Sequence, residues 1–107
     1  MGVPAITVQE LKEKMDRGDA FVLVDVREPH EIAISRLPGS VVIPLGSLPT
    51  NVNRLSTADD IVVHCRTGVR SAKAVQFLMS AGFGRVRNLT GGIDRWAVEV
   101  DPSVPRY

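Results

Sequence analysis

Three short, almost uninterrupted apolar runs separated by helix-like stretches constrain this chain more than any other feature. Phe21-Val22-Leu23-Val24-Asp25-Val26, Val41-Val42-Ile43 and Ile61-Val62-Val63-His64 lack the apolar–polar alternation of a strand with one wet face. A strand apolar on successive residues has to be covered on both faces, which is the environment of a parallel sheet between helices. The intervening segments supply those helices. Thr7-Val8-Gln9-Glu10 reads as a capping box opening a helix to about Arg17, with Val8, Leu11 and Met15 on one face and a stop at Gly18. Pro29 suits the first turn of a short helix, Leu37-Pro38-Gly39 a turn, and Leu48 to Leu55 a further short helix. Ser71 to Ala81 is rich in helix formers and closes at Gly82. Val86 to Leu89 makes a fourth strand, and Gly91-Gly92 leads into a last helix carrying Trp96. The expected fold is α/β, with a mostly parallel central sheet flanked by helices in three layers. At 107 residues the chain fits one domain, its core over about 6–100 and an extended tail over 101–107.

Composition removes several function classes. A formal net charge of +1 offers nothing for nucleic acid or an anionic membrane surface. The apolar run Phe21 to Val24, like every other in the chain, is far too short to span a bilayer. The N-terminus has no basic segment followed by an apolar stretch, and Ile6 stands where a myristoylation motif wants Ser or Thr. One cysteine excludes an internal disulfide, and His30 and His64 have no metal-ligand spacing, so neither metal nor cofactor is expected. A free thiol points to a reducing compartment, the cytoplasm by default.

The chemistry concentrates where the third strand runs into Cys65-Arg66-Thr67-Gly68-Val69-Arg70-Ser71 and then a helix. The first amides of a helix have no internal partner and carry the positive end of the dipole. A loop wrapped around Cys65 aims those donors inward as an anion cradle, with Gly68 giving the turn its backbone freedom and Arg66 and Arg70 adding charge at the rim. Such surroundings favour thiolate, so the Cys65 pKa is expected below the free value of about 8.5. An inert buried cysteine is the plainer reading of a lone thiol, but two arginines and a glycine within the next five residues do not serve core packing.

These residues resemble the active-site loop of the rhodanese family of sulfurtransferases. The resemblance extends to Asp25-Val26-Arg27-Glu28-Pro29 with Glu31, Leu37-Pro38-Gly39-Ser40, Ile43-Pro44, Leu89 to Gly92 and Trp96. Ser35-Arg36 departs from the Gly-His found in many members, outside the cysteine loop. The resemblance implies a thiosulfate:cyanide-type sulfurtransferase that carries sulfane sulfur as a Cys65 persulfide. Residues Arg66, Thr67, Gly68, Val69, Arg70 and Ser71 would bind the substrate, and Asp25 and Arg27 would form a structural pair near the site. In tyrosine-phosphatase-like enzymes the loop arginine falls one residue later than Arg70 does here. The shorter loop makes a smaller cradle, suited to sulfur better than to phosphate or arsenate. His64 is then read as closing a buried strand. Arg85 and Arg87, on one face of the fourth strand, could join Arg66, Arg70 and Arg95 in a basic rim, although a solvated edge is the simpler reading.

The tail, Asp101 to Tyr107, resembles the C-terminus of adenylyltransferase–rhodanese fusion proteins. That implies a persulfide-donating cysteine desulfurase and a small ubiquitin-like sulfur carrier as partners, beside a small donor such as thiosulfate. The alternative from another class is a non-catalytic rhodanese module that binds partners or senses redox state.

Overall fold

The computed structural model describes residues 2–107. Five strands, β1 (Ala5–Ile6), β2 (Val22–Asp25), β3 (Val41–Val42), β4 (Ile61–His64) and β5 (Val86–Leu89), form one sheet in the order β1-β5-β4-β2-β3. Every pairing is parallel. The helices are α1 (Val8–Asp16), α2 (Pro29–Ile32), α3 (Leu48–Asn51), α4 (Val69–Ser80) and α5 (Gly92–Glu99).

Successive residues of a strand face opposite sides of the sheet, and here both sides are dry. Val24, Ile61 and Val63 pack with Ala74, Val75 and Leu78 of α4. Leu23 and Val62 pack on the other side with Val8 and Leu11 of α1 and Ile93 and Trp96 of α5. This is the three-layer α/β arrangement expected from the unbroken apolar runs. The capping box at Thr7 forms as expected: its hydroxyl accepts from the Glu10 amide at 3.1 Å, and its own amide donates to the Glu10 carboxylate at 2.9 Å.

Several expectations need correction. The strand count rises from four to five, because Ala5–Ile6 pairs with β5 at the edge through bonds from Asn88 N to Pro4 O and from Thr90 N to Ile6 O. Two residues are too few to show a period. Phe21 and Val26 flank β2 without belonging to it, and β3 ends before Ile43. The segment Leu48 to Leu55 breaks into α3 and a 3₁₀ turn over Val52–Arg54. Helix α4 begins at Val69, two residues before Ser71, because Gly68 is its N-cap. The tail is not extended. Ser103 and Val104 turn back on Asp101, and the chain closes with Tyr107 half-buried.

Candidate functional site

Cys65 follows the last residue of β4, a central strand, and the turn Arg66-Thr67-Gly68 carries the chain into α4. The C-terminal end of a parallel strand, facing a helix N-terminus, is where open α/β sheets build their sites. Gly68 makes this turn possible: its φ of +110° is left-handed, a region that residues with a Cβ rarely adopt. The Gly68 amide donates to Cys65 Sγ at 3.1 Å, and the Ser71 hydroxyl lies 3.4 Å from the same sulfur. Cys65 itself is only 1% exposed. Burial pushes its thiol pKa up, yet the Ser71 hydroxyl and the amides of Ser71, Gly68 and Thr67 outweigh that and hold it below the ordinary value.

The loop is braced from α5. Ile93 N donates to Cys65 O and Asp94 N to Arg66 O, both at 3.0 Å, so the first amides of α5 satisfy two carbonyls of the cysteine loop. This contact requires glycine at position 92: a Cβ there would lie 2.5 Å from both Cys65 O and Arg66 O. Gly91-Gly92 does serve a tight turn, as its sequence suggests, and also brings two backbones together.

Asp25 and Arg27 lie beneath the loop, both fully buried. Their side chains form a forked pair, with Arg27 Nε 3.0 Å from Asp25 Oδ1 and Arg27 Nη2 2.7 Å from Oδ2. Arg27 also donates to Ser35 O at 2.8 Å. His64 is equally buried; its Nε2 stands 3.4 Å from Asp25 Oδ2 and its Nδ1 3.1 Å from Cys65 O. Burial lowers the His64 pKa, which keeps the ring neutral in spite of Asp25.

The rim differs from the one the sequence suggests. Arg70 does reach the site, but its guanidinium is held by both oxygens of Glu31 at 2.6 and 2.9 Å. Glu31 also accepts from the Tyr107 hydroxyl at 2.7 Å. That hydroxyl accepts from Arg27 Nη1 at 3.0 Å, and the Arg66 guanidinium sits 5.1 Å from the Tyr107 ring centroid. Arg85 and Arg87 lie at the opposite end of the sheet, beside Asp60 before β4, and do not join this rim. Arg95 pairs with Glu99 and lines a cavity of about 370 Å³ with Thr67, Gly91, Asp94, Val98 and Glu99, next to the loop. Three residues of the site escaped assignment from sequence: Glu31, Asn88 and Tyr107. Asn88 donates from Nδ2 to Gly68 O at 3.1 Å and stands against Ser71.

Residues 7–99 match the family model of the rhodanese-like domain. The chain belongs to the rhodanese-like family. Among rhodanese-like relatives, the rhodanese-like/PpiC domain-containing protein 12, chloroplastic, of Arabidopsis thaliana is 42% identical over 98% of this chain. A sulfurtransferase of Allochromatium vinosum is 37% identical, with 89% of each chain covered. The crystal structure of SSP1007 from Staphylococcus saprophyticus superposes with a TM-score of 0.85 at 35% identity, over 97% of this chain and 100% of that one. The chain spans 38% of the plant protein, and 25% and 26% of adenylyltransferase and sulfurtransferase relatives from Arabidopsis thaliana and Mycobacterium tuberculosis. Rhodanese-like domains related to this one therefore occur inside longer polypeptides. Among the described residues no helix is long and apolar enough to cross a membrane.

Proposed function

We propose that this domain moves sulfane sulfur through a persulfide on Cys65. The observation that carries this reading is the cradle itself: a buried sulfur at a strand end, ringed by amides and a hydroxyl that favour its anion. With thiosulfate as donor, the Cys65 thiolate attacks the outer sulfur. The S–S bond of the donor breaks, sulfite leaves with the bonding pair, and Cys65 keeps one added sulfur. An acceptor nucleophile, cyanide in vitro or a thiol or carrier protein, then attacks that outer sulfur and Cys65 departs as thiolate. Splitting the transfer in two is covalent catalysis, and the amides of the loop stabilise the charge that develops on sulfur.

Arg66 is the rim cation that would steer an anionic donor, while Arg70, committed to Glu31, shapes the wall of the site. Asp25 and Arg27 hold the floor. Two relatives join an adenylyltransferase to a sulfurtransferase in one protein. Their kinship is consistent with sulfur-transfer partners, and the resemblance of the tail narrows these to a small ubiquitin-like protein as acceptor and a cysteine desulfurase as persulfide donor. A thiol working in this way needs a reducing compartment, either the cytoplasm or an organelle interior such as that of the chloroplastic relative.

Intact mass tests the reading directly. Brief incubation with thiosulfate should add one sulfur, about 32 Da, which a cyanide pulse removes and the Cys65→Ser variant never acquires. If neither thiosulfate nor a protein persulfide changes the mass, the domain is a binding module and not a transferase.

A further inference from the structure

A hydroxyl has one hydrogen, and that of Ser71 faces two acceptors. Ser71 Oγ lies 3.4 Å from Cys65 Sγ and 2.5 Å from Asn88 Oδ1. The amide of Asn88 has no freedom to offer anything else. Its Nδ2 is spent on Gly68 O at 3.1 Å, which turns Oδ1, purely an acceptor, towards Ser71. Its backbone is fixed too: Asn88 is in register with Val63 of β4, and its own N–H donates to Pro4 O on the far side. Ser71 is fully buried, so its hydrogen has to go to one of these two partners.

We propose that Asn88 is a positioning residue that parks the Ser71 hydroxyl while the Cys65 sulfur is neutral and releases it to the sulfur when that sulfur is an anion. With Cys65 as a thiol, the Ser71 hydrogen points to Asn88 and the thiol hydrogen to Ser71 Oγ. With Cys65 as a thiolate, the hydrogen turns to the sulfur, since a bond to an ion is about twice as strong as a neutral one. On the sulfur-transfer reading, to which this proposal adds the catalytic meaning, Cys65 is an anion twice per cycle: as it attacks the donor and as it leaves the acceptor. In between, as the inner sulfur of a persulfide, it is neutral and Asn88 takes the hydrogen back. The cost is competition, because Asn88 favours the thiol over the thiolate.

The test is the pH dependence of Cys65 alkylation by iodoacetamide, which has one target because the chain has one cysteine. Four proteins are compared: wild type, Asn88→Leu, Ser71→Ala and the double variant. The charged and titratable groups around the sulfur are common to all four. They are Arg66 in the loop, Arg70 of α4 with Glu31 of α2, and His64, Asp25 and Arg27 below. Asn88→Leu should lower the midpoint by about 0.5 to 1 pH unit, the worth of one neutral hydrogen bond, and should do nothing when Ser71 is Ala. An equal shift in both backgrounds, no shift, or a rise overturns the proposal, because Asn88 would then act only by propping Gly68. Should Leu at this position fail to fold, Asn88→Asp keeps the size of the side chain and strengthens the acceptor facing Ser71, at the loss of the donor to Gly68 O in both backgrounds. It should raise the midpoint, and by less in the Ser71→Ala background; equal rises would overturn the proposal as well. Alkylation needs no sulfur donor. The toggle can therefore fail while the Cys65 persulfide stands, and absence of the persulfide leaves the coupling between Asn88 and Ser71 to be judged alone.

Discussion

Glu31 holds four donors at once: both terminal nitrogens of Arg70, the Tyr107 hydroxyl, and the Glu28 amide at 3.1 Å. The Arg70 bond is the largest cause of a carboxyl pKa held far below the usual range, burial opposing it and Tyr107 and the Glu28 amide assisting. A depressed carboxylate stabilises the fold above its unfolded pKa, and that contribution is lost as pH falls towards the folded value. Denaturant midpoints of wild type and Glu31→Gln should therefore differ most near neutral pH and converge steadily below about pH 4.3. A difference that stays constant down to pH 3 would mean the pair contributes nothing through its charge. The sequence places Glu31 within a recognisable stretch but gives it no role. Its partner Arg70 is 39 residues away, and no local period links them. Cys65 and Gly68 were legible for the opposite reason: strand, turn and helix start are consecutive, so their chemistry can be read along the chain.

At the scale of elements, α5 supports the cysteine loop through two backbone hydrogen bonds. Gly92 has a left-handed φ of +59°, and any Cβ would collide with the Cys65 and Arg66 carbonyls. Gly92→Ala should cost about 1–3 kcal/mol in denaturant titrations and slow sulfur loading of Cys65. Gly46→Ala is the matched control, since nothing lies within 4 Å of its added carbon, and it should change neither. If Gly92→Ala destabilises the chain yet loads at the wild-type rate, the brace matters to the fold and not to the site. Element type was readable wherever a local signal existed, as with the Thr7 box or the apolar run of β4. It was not readable for β1, whose identity lies entirely in what it pairs with. The start of α4 was misplaced because Gly68 serves both the turn and the cap.

At the scale of the whole fold, residues 101–107 turn back beside the cysteine loop. Arg106 pairs with Asp94 at 2.9 Å, Val104 and Tyr107 pack on the core face shared by α1 and α5, and the Tyr107 hydroxyl bridges Arg27 and Glu31. Nothing periodic in Asp101 to Tyr107 announces this, so the sequence shows a tail and only the tertiary structure shows its seat. Truncation after Val100 removes one partner of a fully buried guanidinium and should lower stability by about 1–3 kcal/mol, with Tyr107→Phe losing about 1 kcal/mol of it. Thermal or denaturant unfolding reads both, and an unchanged midpoint on truncation would show that the tail rests on the domain without supporting it. The sheet has a further consequence at this scale. Both of its outer strands, β1 and β3, are two residues long, β1 follows Pro4, and Pro44 stands two residues beyond β3. Stubs of that length present too few free amides and carbonyls for a foreign strand to zip on, and prolines cut the ladder short. A domain with such blunt margins can be strung beside others in one polypeptide, or crowded at high concentration, with little tendency to stick sheet to sheet.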